Sequence, residues 1–248
     1  MFIPNLETFH ESNIGLSYAR NYAIDKCNSE FIHYIDDDTT LENDFCDNLI
    51  SFLITFKPKA YTGKIIPVFI TKRPEWYKNG YLCGENAYLK TGKLDDGHIM
   101  GGNMGFNTKL LLQLEGFPNN YGKGSKIMYC EETFIEYKIR SRKIQVYYCE
   151  EIKINHFGND DTIWKILKIF YHQNLSFMQL ESNRIANKKS LKIIFYDFKQ
   201  CAKHLLNGII LIVKQREYYF PNFLIDLLKP LIRSYAFITL LRKNNFSL

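Results

Sequence analysis

The chain has 248 residues, 46% of them hydrophobic, and a formal charge of +6. That much apolar material builds a sizeable core and excludes wholesale disorder. Six scattered cysteines with no C-x-x-C pair exclude a small disulfide scaffold and point to reduced thiols in a cytosolic setting.

The opening stretch MFIPNLETFH has neither the basic nor the apolar region of a signal peptide. The most apolar run, 205–213, is too short to span a bilayer. Charge is unevenly spread: from residue 160 onward there are 14 Lys/Arg against 6 Asp/Glu, whereas the first 159 residues carry 18 against 20. A mildly acidic front and a basic, aromatic-rich back imply two parts with different partners.

In chain order, Ser12 or Asn13 is placed to cap a helix over 15–27, with Leu16, Ala19, Ala23 and Ile24 on its apolar face. A short strand follows at 31–35. A helix over 41–56 carries Phe45, Leu49, Phe52 and Leu53 on one side and stops at Pro58. A strand is expected over 60–68. An α–β–α–β run with short loops implies a mainly parallel sheet. Residues 70–98 read as a long polar loop interleaved with Trp76, Tyr77, Tyr81 and Tyr88, either functional or anchored by those rings. The stretch 99–106, IMGGNMGF, holds a glycine pair that permits close approach of a ligand. A helix stub over 107–114 and a Gly-Phe-Pro turn come next. Glu131 and Glu132 open a helix to about 142, where carboxylates suit the helix dipole. Strands at 144–149 and 152–154 lead to His156, either a structural hydrogen-bonder or a ligand.

Beyond residue 160 the pattern is helical: one helix from Ile163, a second over 191–217, and a third over 223–242 bent or broken at Pro230. Broad apolar faces with Lys and Arg beside them suit packing on the front domain, a partner interface, or an anionic membrane surface. The basic residues are dispersed over helices and form no nucleic-acid-binding motif, so nucleic acid is not an expected partner.

The strand at 31–35 ends in Asp36, Asp37 and Asp38, at the edge where open α/β sheets bind ligands. Three adjacent acids repel one another. Hard carboxylate oxygens suit Mg²⁺ or Mn²⁺, although a solvated acidic turn capping the next helix would also explain them.

Four segments stand in order: N-x-G-x-x-x-A-R-N at 13–21, the D-D-D strand end at 36–38, GGNMGF at 101–106 with G-F-P at 116–118, and the acidic pair at 131–132 with His156 downstream. Together, over residues 12–157, they resemble the inverting family 2 glycosyltransferases of GT-A fold. The resemblance implies an α/β, incomplete GT-A-like (Rossmann-like) mixed sheet over 1–159, followed by an α-helical appendage over 160–248. It implies that Asp36, Asp37, Arg20, Asn21, Gly101, Gly102 and Asn103 border a nucleotide-sugar donor. Asp38, Asp36 and His156 would hold Mn²⁺ or Mg²⁺. Glu132, or else Glu131, would be the general base.

The reaction implied moves a sugar to a hydroxyl of a saccharide or lipid-linked acceptor, in surface polysaccharide or glycolipid synthesis. It would take place in the cytoplasm or at the inner face of the membrane. Measured against the family, the chain starts at the helix before the D-x-D strand and lacks the usual base-binding part. An exposed sheet edge is therefore expected, covered by self-association or a partner chain. The alternative is a non-catalytic remnant or one half of a split protein.

Overall fold

The computed structural model describes residues 6–69, 71–78, 80–83, 86, 89–95, 97–157, 162–180, 190–214 and 217–243. Helix α1 (Leu16–Lys26) leads into strand β1 (Phe31–Ile35), strand β2 (Thr39–Leu41), helix α2 (Phe45–Phe56) and strand β3 (Ala60–Pro67). Then come the short α3 (Gly80–Cys83), β4 (Gly92–Lys93), β5 (Asn103–Asn107), α4 (Thr108–Gln113), α5 (Glu131–Ser141) and β6 (Val146–His156). Three long helices follow: α6 (Ile163–Leu180), α7 (Ser190–Lys214) and α8 (Phe220–Lys243).

The sheet runs β1-β5-β3-β6-β2, with β4 also on β6. It is mixed. Among the described strands only β3 and β6 pair in parallel, while β1, β2 and β4 are all antiparallel to their neighbours. The mainly parallel sheet expected from the α–β–α–β run is corrected by two elements. The second half of IMGGNMGF, a stretch that reads as a ligand approach, becomes part of β5 (Asn103–Asn107) and inserts antiparallel between β1 and β3. Thr39–Leu41 pairs with the end of β6, so α2 starts at Phe45 and not at 41. The two strands expected at 144–149 and 152–154 are one strand, with a register shift opposite Gly63/Lys64.

Alternation along the strands builds two cores. On one face Tyr34, Met104, Phe106, Val146 and Tyr148 pack against Ile24 of α1, Leu110 and Leu111 of α4, and Ile135 and Ile139 of α5. On the other, Tyr61, Ile152 and Ile154 meet Phe45 and Phe52 of α2. Gly105 is required where it stands, because a Cβ there would collide with the Tyr61 ring. Helix α1 is not capped by Ser12 or Asn13. Its start is Gly15, and Leu16 N–H donates to the Lys123 carbonyl at 2.9 Å.

The aromatics of the long loop prove to be anchors. Trp76, Tyr77 and Tyr81 pack with Ile166 and Leu167 of α6 and Ile225 of α8. Asn222 donates to the Trp76 carbonyl (2.6 Å) and to the Tyr81 hydroxyl (2.7 Å). Tyr88 lies outside the described residues. Helix α8 runs through Pro230 without a break in its helical span. Helices α7 and α8 are pinned by the buried Asp197, which accepts from Arg233 Nε at 2.9 Å and Ser234 Oγ at 2.8 Å. No described helix is long and apolar enough to cross a membrane. Strand β1 ends the sheet, and among the described residues it pairs only with β5.

Beneath the C-terminal end of β1 lies a polar layer. Asn103 is fully buried: its amide nitrogen donates to the carbonyls of Lys64 (3.0 Å) and Ile152 (2.9 Å), and its oxygen faces His33 Nε2 at 3.0 Å. The other imidazole nitrogen lies 3.3 Å from the Tyr61 hydroxyl. Burial pulls the His33 pKa from 6.5 down to about 4, against the smaller opposing effect of Asn103. The unfolded chain therefore binds this proton more readily than the folded one, and His33 destabilises the fold as pH drops below about 6.5. Urea unfolding should show stability falling between pH 7 and pH 4, with His33 contributing on the order of 2 kcal/mol. His33→Gln should lose that share of the slope; an unchanged slope would mean His33 is not held neutral.

Candidate donor and metal site

The C-terminal end of β1 turns sharply into β2. Thr39 Oγ1 donates to the Asp36 carbonyl at 2.7 Å, and the Asp38 carbonyl accepts from Phe157 N–H at 2.9 Å. The same turn puts Thr39 in register with His156 at the end of β6. Asp36, Asp38 and His156 are thereby gathered, with one ligand atom from each lying within 4.8 Å of the others. His156 Nε2 is 3.4 Å from Asp38 Oδ1. Two carboxylates and an imidazole on one side of a turn form an oxygen-rich set suited to Mn²⁺ or Mg²⁺. Asp37, between them, is exposed.

Behind this trio sits Arg20, only 5% exposed. Nη1 donates to Glu131 Oε1 at 2.7 Å, and Nη2 donates to the Gly101 carbonyl at 3.0 Å and reaches Asp36 Oδ1 at 3.5 Å. Its guanidinium also lies over the rings of Tyr34 and Phe117, at 5.9 and 5.5 Å. The glycine pair explains itself here. A Cβ on Gly101 would come within 3.3 Å of Arg20 Nη2, and one on Gly102 within 3.0 Å of Asp36 Oδ2.

The acidic pair divides in two. Glu131 is buried and committed to Arg20. Glu132 is half-buried. Burial and the adjacent Glu131 carboxylate push its pKa up to about 8, against the pull of its own amide and of Arg20. Cys130, the residue before them, sits in the left-handed region, and its Sγ contacts the Gln173 carbonyl of α6 at 3.8 Å.

Of the residues expected to border a donor, Arg20, Asp36 and Gly101 are joined through direct contacts that include Glu131, Gly102 abuts Asp36, and Asp36 shares the trio with Asp38 and His156, while Asp37 is exposed on the same turn and Glu132 adjoins Glu131. Two do not present their side chains there. Asn21 clamps the Gly-Phe-Pro turn, donating to the Phe117 carbonyl (2.8 Å) and Asn119 Oδ1 (2.9 Å) and accepting from Phe117 N–H (2.7 Å). Asn103 is consumed by the buried layer described above. Arg20, expected to border the donor, spends its donors on Glu131 and the Gly101 carbonyl and acts as the hub that holds acid and turn together.

Sequence reasoning passed over a cavity of about 400 Å³ beside α5, lined by Asp95, Gly97, His98, Thr133, Glu136, Tyr137, Arg140 and Phe177. Glu136 is buried there. It accepts from Ile99 N–H (3.0 Å) and Arg140 Nε (2.7 Å) and lies 3.4 Å from His98 Nδ1. Burial pushes its pKa up, but those three partners outweigh burial and hold it low, while the bond to Glu136 raises that of His98. The legible signal was a carboxylate one helical turn below Glu132 and one turn above Arg140.

Residues 4–114 match the model of glycosyl transferase family 2. No curated protein matches the chain in sequence. Among solved structures, it is similar to the mannosyltransferase PcManGT from Pyrobaculum calidifontis in complex with GDP-Man and Mn²⁺, at 14% identity and a TM-score of 0.51. That match covers 89% of this chain and 66% of the other, so the chain spans just under two thirds of the mannosyltransferase's length. Two structures of S. aureus TarS 1–349 are also similar. The one with UDP has 13% identity and TM-score 0.44, covering 93% and 72%; the one with UDP-GlcNAc has 12% and 0.43, covering 95% and 74%. The segment 4–114 is thus similar to family 2 glycosyltransferases, and the fold, a mixed α/β sheet with flanking helices, is that of the GT-A glycosyltransferases.

Proposed function

We propose that this chain transfers a sugar from a nucleotide-activated donor to an acceptor hydroxyl. The observation that carries this reading is the split acidic pair beside a metal-capable trio. Arg20 neutralises Glu131 and touches Asp36, which leaves Glu132 as the carboxylate able to take a proton. In the reaction, a bond forms between the acceptor oxygen and the anomeric carbon. The bond from that carbon to the diphosphate oxygen breaks, and its electron pair leaves with the diphosphate. The acceptor proton passes to Glu132.

Asp36, Asp38 and His156 are the residues that would hold Mn²⁺ or Mg²⁺. When bound, such an ion supplies positive charge to offset that gathering on the departing nucleoside diphosphate. PcManGT was solved with GDP-Man and Mn²⁺, which supports a nucleotide-sugar donor here. Surface polysaccharide or glycolipid assembly is the setting we infer.

The helical part fits a membrane-surface role at an anionic inner leaflet. The outer stripe of α7 carries Phe195 (75% exposed), Phe198, Leu206 (72%), Ile210 and Val213 (82%), flanked by the exposed Lys199, Lys203 and Lys214. Apolar side chains beside lysines suit a helix lying in the headgroup plane.

A second reading rests on β1. Its outer edge is unpaired among the described residues, and the exposed Leu6, Phe9 and Ile14 belong to the segment preceding that strand. On that reading the chain acts with a partner, or a second copy, that covers the edge.

Calorimetry with UDP and GDP should show binding that needs Mn²⁺, and Asp38→Asn should abolish the metal dependence with the fold intact. Metal-independent binding, or equal binding by the variant, would sink the metal site. Glu132→Gln should keep nucleotide binding and lose roughly 10²–10⁴-fold in transfer. Because the base must be ionised and its pKa is raised, transfer by the parent chain should climb with pH toward about 8, not level off near pH 5. A plateau at pH 5 would remove Glu132 from that role. Vesicles rich in phosphatidylglycerol should pellet the protein at low salt and release it at high salt. Leu206→Asp should weaken pelleting; absence of pelleting by the parent chain would leave the stripe to a protein partner.

A further inference from the structure

One turn beyond Glu132 on α5 stands another carboxylate, Glu136, only 4% exposed. It forms an i,i+4 pair with Arg140, but a pair that serves its own helix alone needs no burial. Glu136 also reaches out of α5 to the main chain. Its Oε2 accepts from the Ile99 N–H at 3.0 Å and lies 3.4 Å from His98 Nδ1, while Oε1 accepts from Arg140 Nε at 2.7 Å. Arg140 Nη2 in turn donates to the carbonyls of Leu94 (3.1 Å) and Gly97 (3.3 Å). Asn86 holds the same stretch, donating to the His98 carbonyl at 2.6 Å and accepting from the His98 N–H at 3.0 Å.

This stretch of backbone leads straight to Gly101. The Gly101 carbonyl accepts from Arg20 Nη2 at 3.0 Å, and Arg20 Nη1 donates to Glu131 Oε1 at 2.7 Å. The bonds therefore close a circuit. It leaves α5 at Glu136, follows the backbone from 99 to 101, crosses Arg20 and returns to α5 at Glu131. Its two anchors on the helix stand about 7.5 Å apart along the axis. Between them, the Met100 N–H donates to Thr62 Oγ1 at 3.1 Å. Thr62 thus ties the segment to β3, and Glu136 ties it to α5. Ile99 lies in the core, so its N–H is left unpaired if the carboxylate is withdrawn. Burial alone would favour a neutral Glu136, but His98, the Ile99 amide and Arg140 together outweigh it and keep the carboxylate charged.

We propose that Glu136 is a positioning residue: by gripping Ile99 it sets the Gly101 carbonyl against Arg20, and so holds Arg20 on Glu131 in the arrangement that leaves Glu132 as the base. Glu136 itself touches no reacting atom. The catalytic consequence rests on the sugar-transfer reading, whereas the circuit does not. A catalytic group displaced by about 1 Å is enough to cost on the order of 10²-fold in rate.

The test uses the full chain and two variants. Glu136→Gln removes the charge, and Glu136→Asp keeps it but draws it back by one methylene. Circular dichroism sets a temperature at which each is folded; should neither fold, Glu136 is a structural residue and the proposal is overturned. In protein labelled with ¹⁵N-arginine, the Arg20 guanidinium lines are those lost in Arg20→Lys. The parent should show separate Nη1 and Nη2 lines, because both nitrogens are held. In the folded Glu136 variants these lines should shift or merge. Affinity for UDP and GDP with Mn²⁺ should stay within about threefold, since the aspartate turn is held by its own bonds to Thr39 and Phe157. Release of UDP or GDP from UDP-glucose, UDP-N-acetylglucosamine and GDP-mannose should fall roughly tenfold or more in kcat, with KM nearly unchanged. In the Arg20→Lys background, Glu136→Gln should add less than about threefold, because both changes break one circuit. Unmoved Arg20 lines, or losses that multiply in full, overturn the proposal. If the lines move but the parent releases nucleotide from no donor, the circuit stands and the sugar-transfer reading falls.

Discussion

The buried guanidinium of Arg20 is the constraint on which the site depends. A cation shielded from water needs acceptors on every side, or it costs several kcal/mol. Here the acceptors come from three places far apart in sequence: Asp36 at the end of β1, the Gly101 carbonyl before β5, and Glu131 at the start of α5. Satisfying one side chain of α1 therefore fixes the relative position of three loops. It also explains why glycines stand at 101 and 102, where any side chain would press on Arg20 or Asp36. The same pairing decides between the two glutamates. With Glu131 paired to Arg20, burial and the adjacent Glu131 carboxylate raise the pKa of Glu132, and its proton is retained to higher pH.

A second buried layer holds the floor beneath. Asn103 bridges β3 and β6 through two backbone carbonyls, one of them at the register shift of β6, and turns its oxygen to His33. His33 stacks on Tyr61, and Gly105 makes room for that ring. A network in which each polar group has a partner rigidifies the strand end, whereas a half-satisfied one would weaken it. The strand that carries the aspartates is thus fixed from behind by neutral hydrogen bonds and from the front by an ion pair.

Much of this was legible in the chain itself. The strand at 31–35 and the three aspartates stand out by residue type. The helices at α1, α2 and α5 follow from apolar spacing, and the ordered motifs point to the GT-A fold. What escaped did so for physical reasons. IMGGNMGF is too rich in glycine to read as a central strand, because its stability comes from neighbours on both sides and not from its own propensity. Thr39–Leu41 is three residues long and exists only because β6 extends to meet it. Asn21 and Asn103 look like ligand contacts, but a sequence does not show which hydrogen-bonding groups are already spent on backbone. Arg20 illustrates the same point: its residue type suits a phosphate, yet its donors are taken by the protein.

The helical part is more than a basic appendage. α6 touches the start of α5 through Cys130 and Gln173 and contributes Phe177 to the cavity, while Ile166, Leu167 and Ile225 grip the aromatic loop that precedes β5. α7 is bound to this unit by the buried Asp197–Arg233 pair and turns its apolar stripe outward. On the proposed reading, a surface that seats α7 would act on the same packed helices that hold the aromatic loop and meet the start of α5.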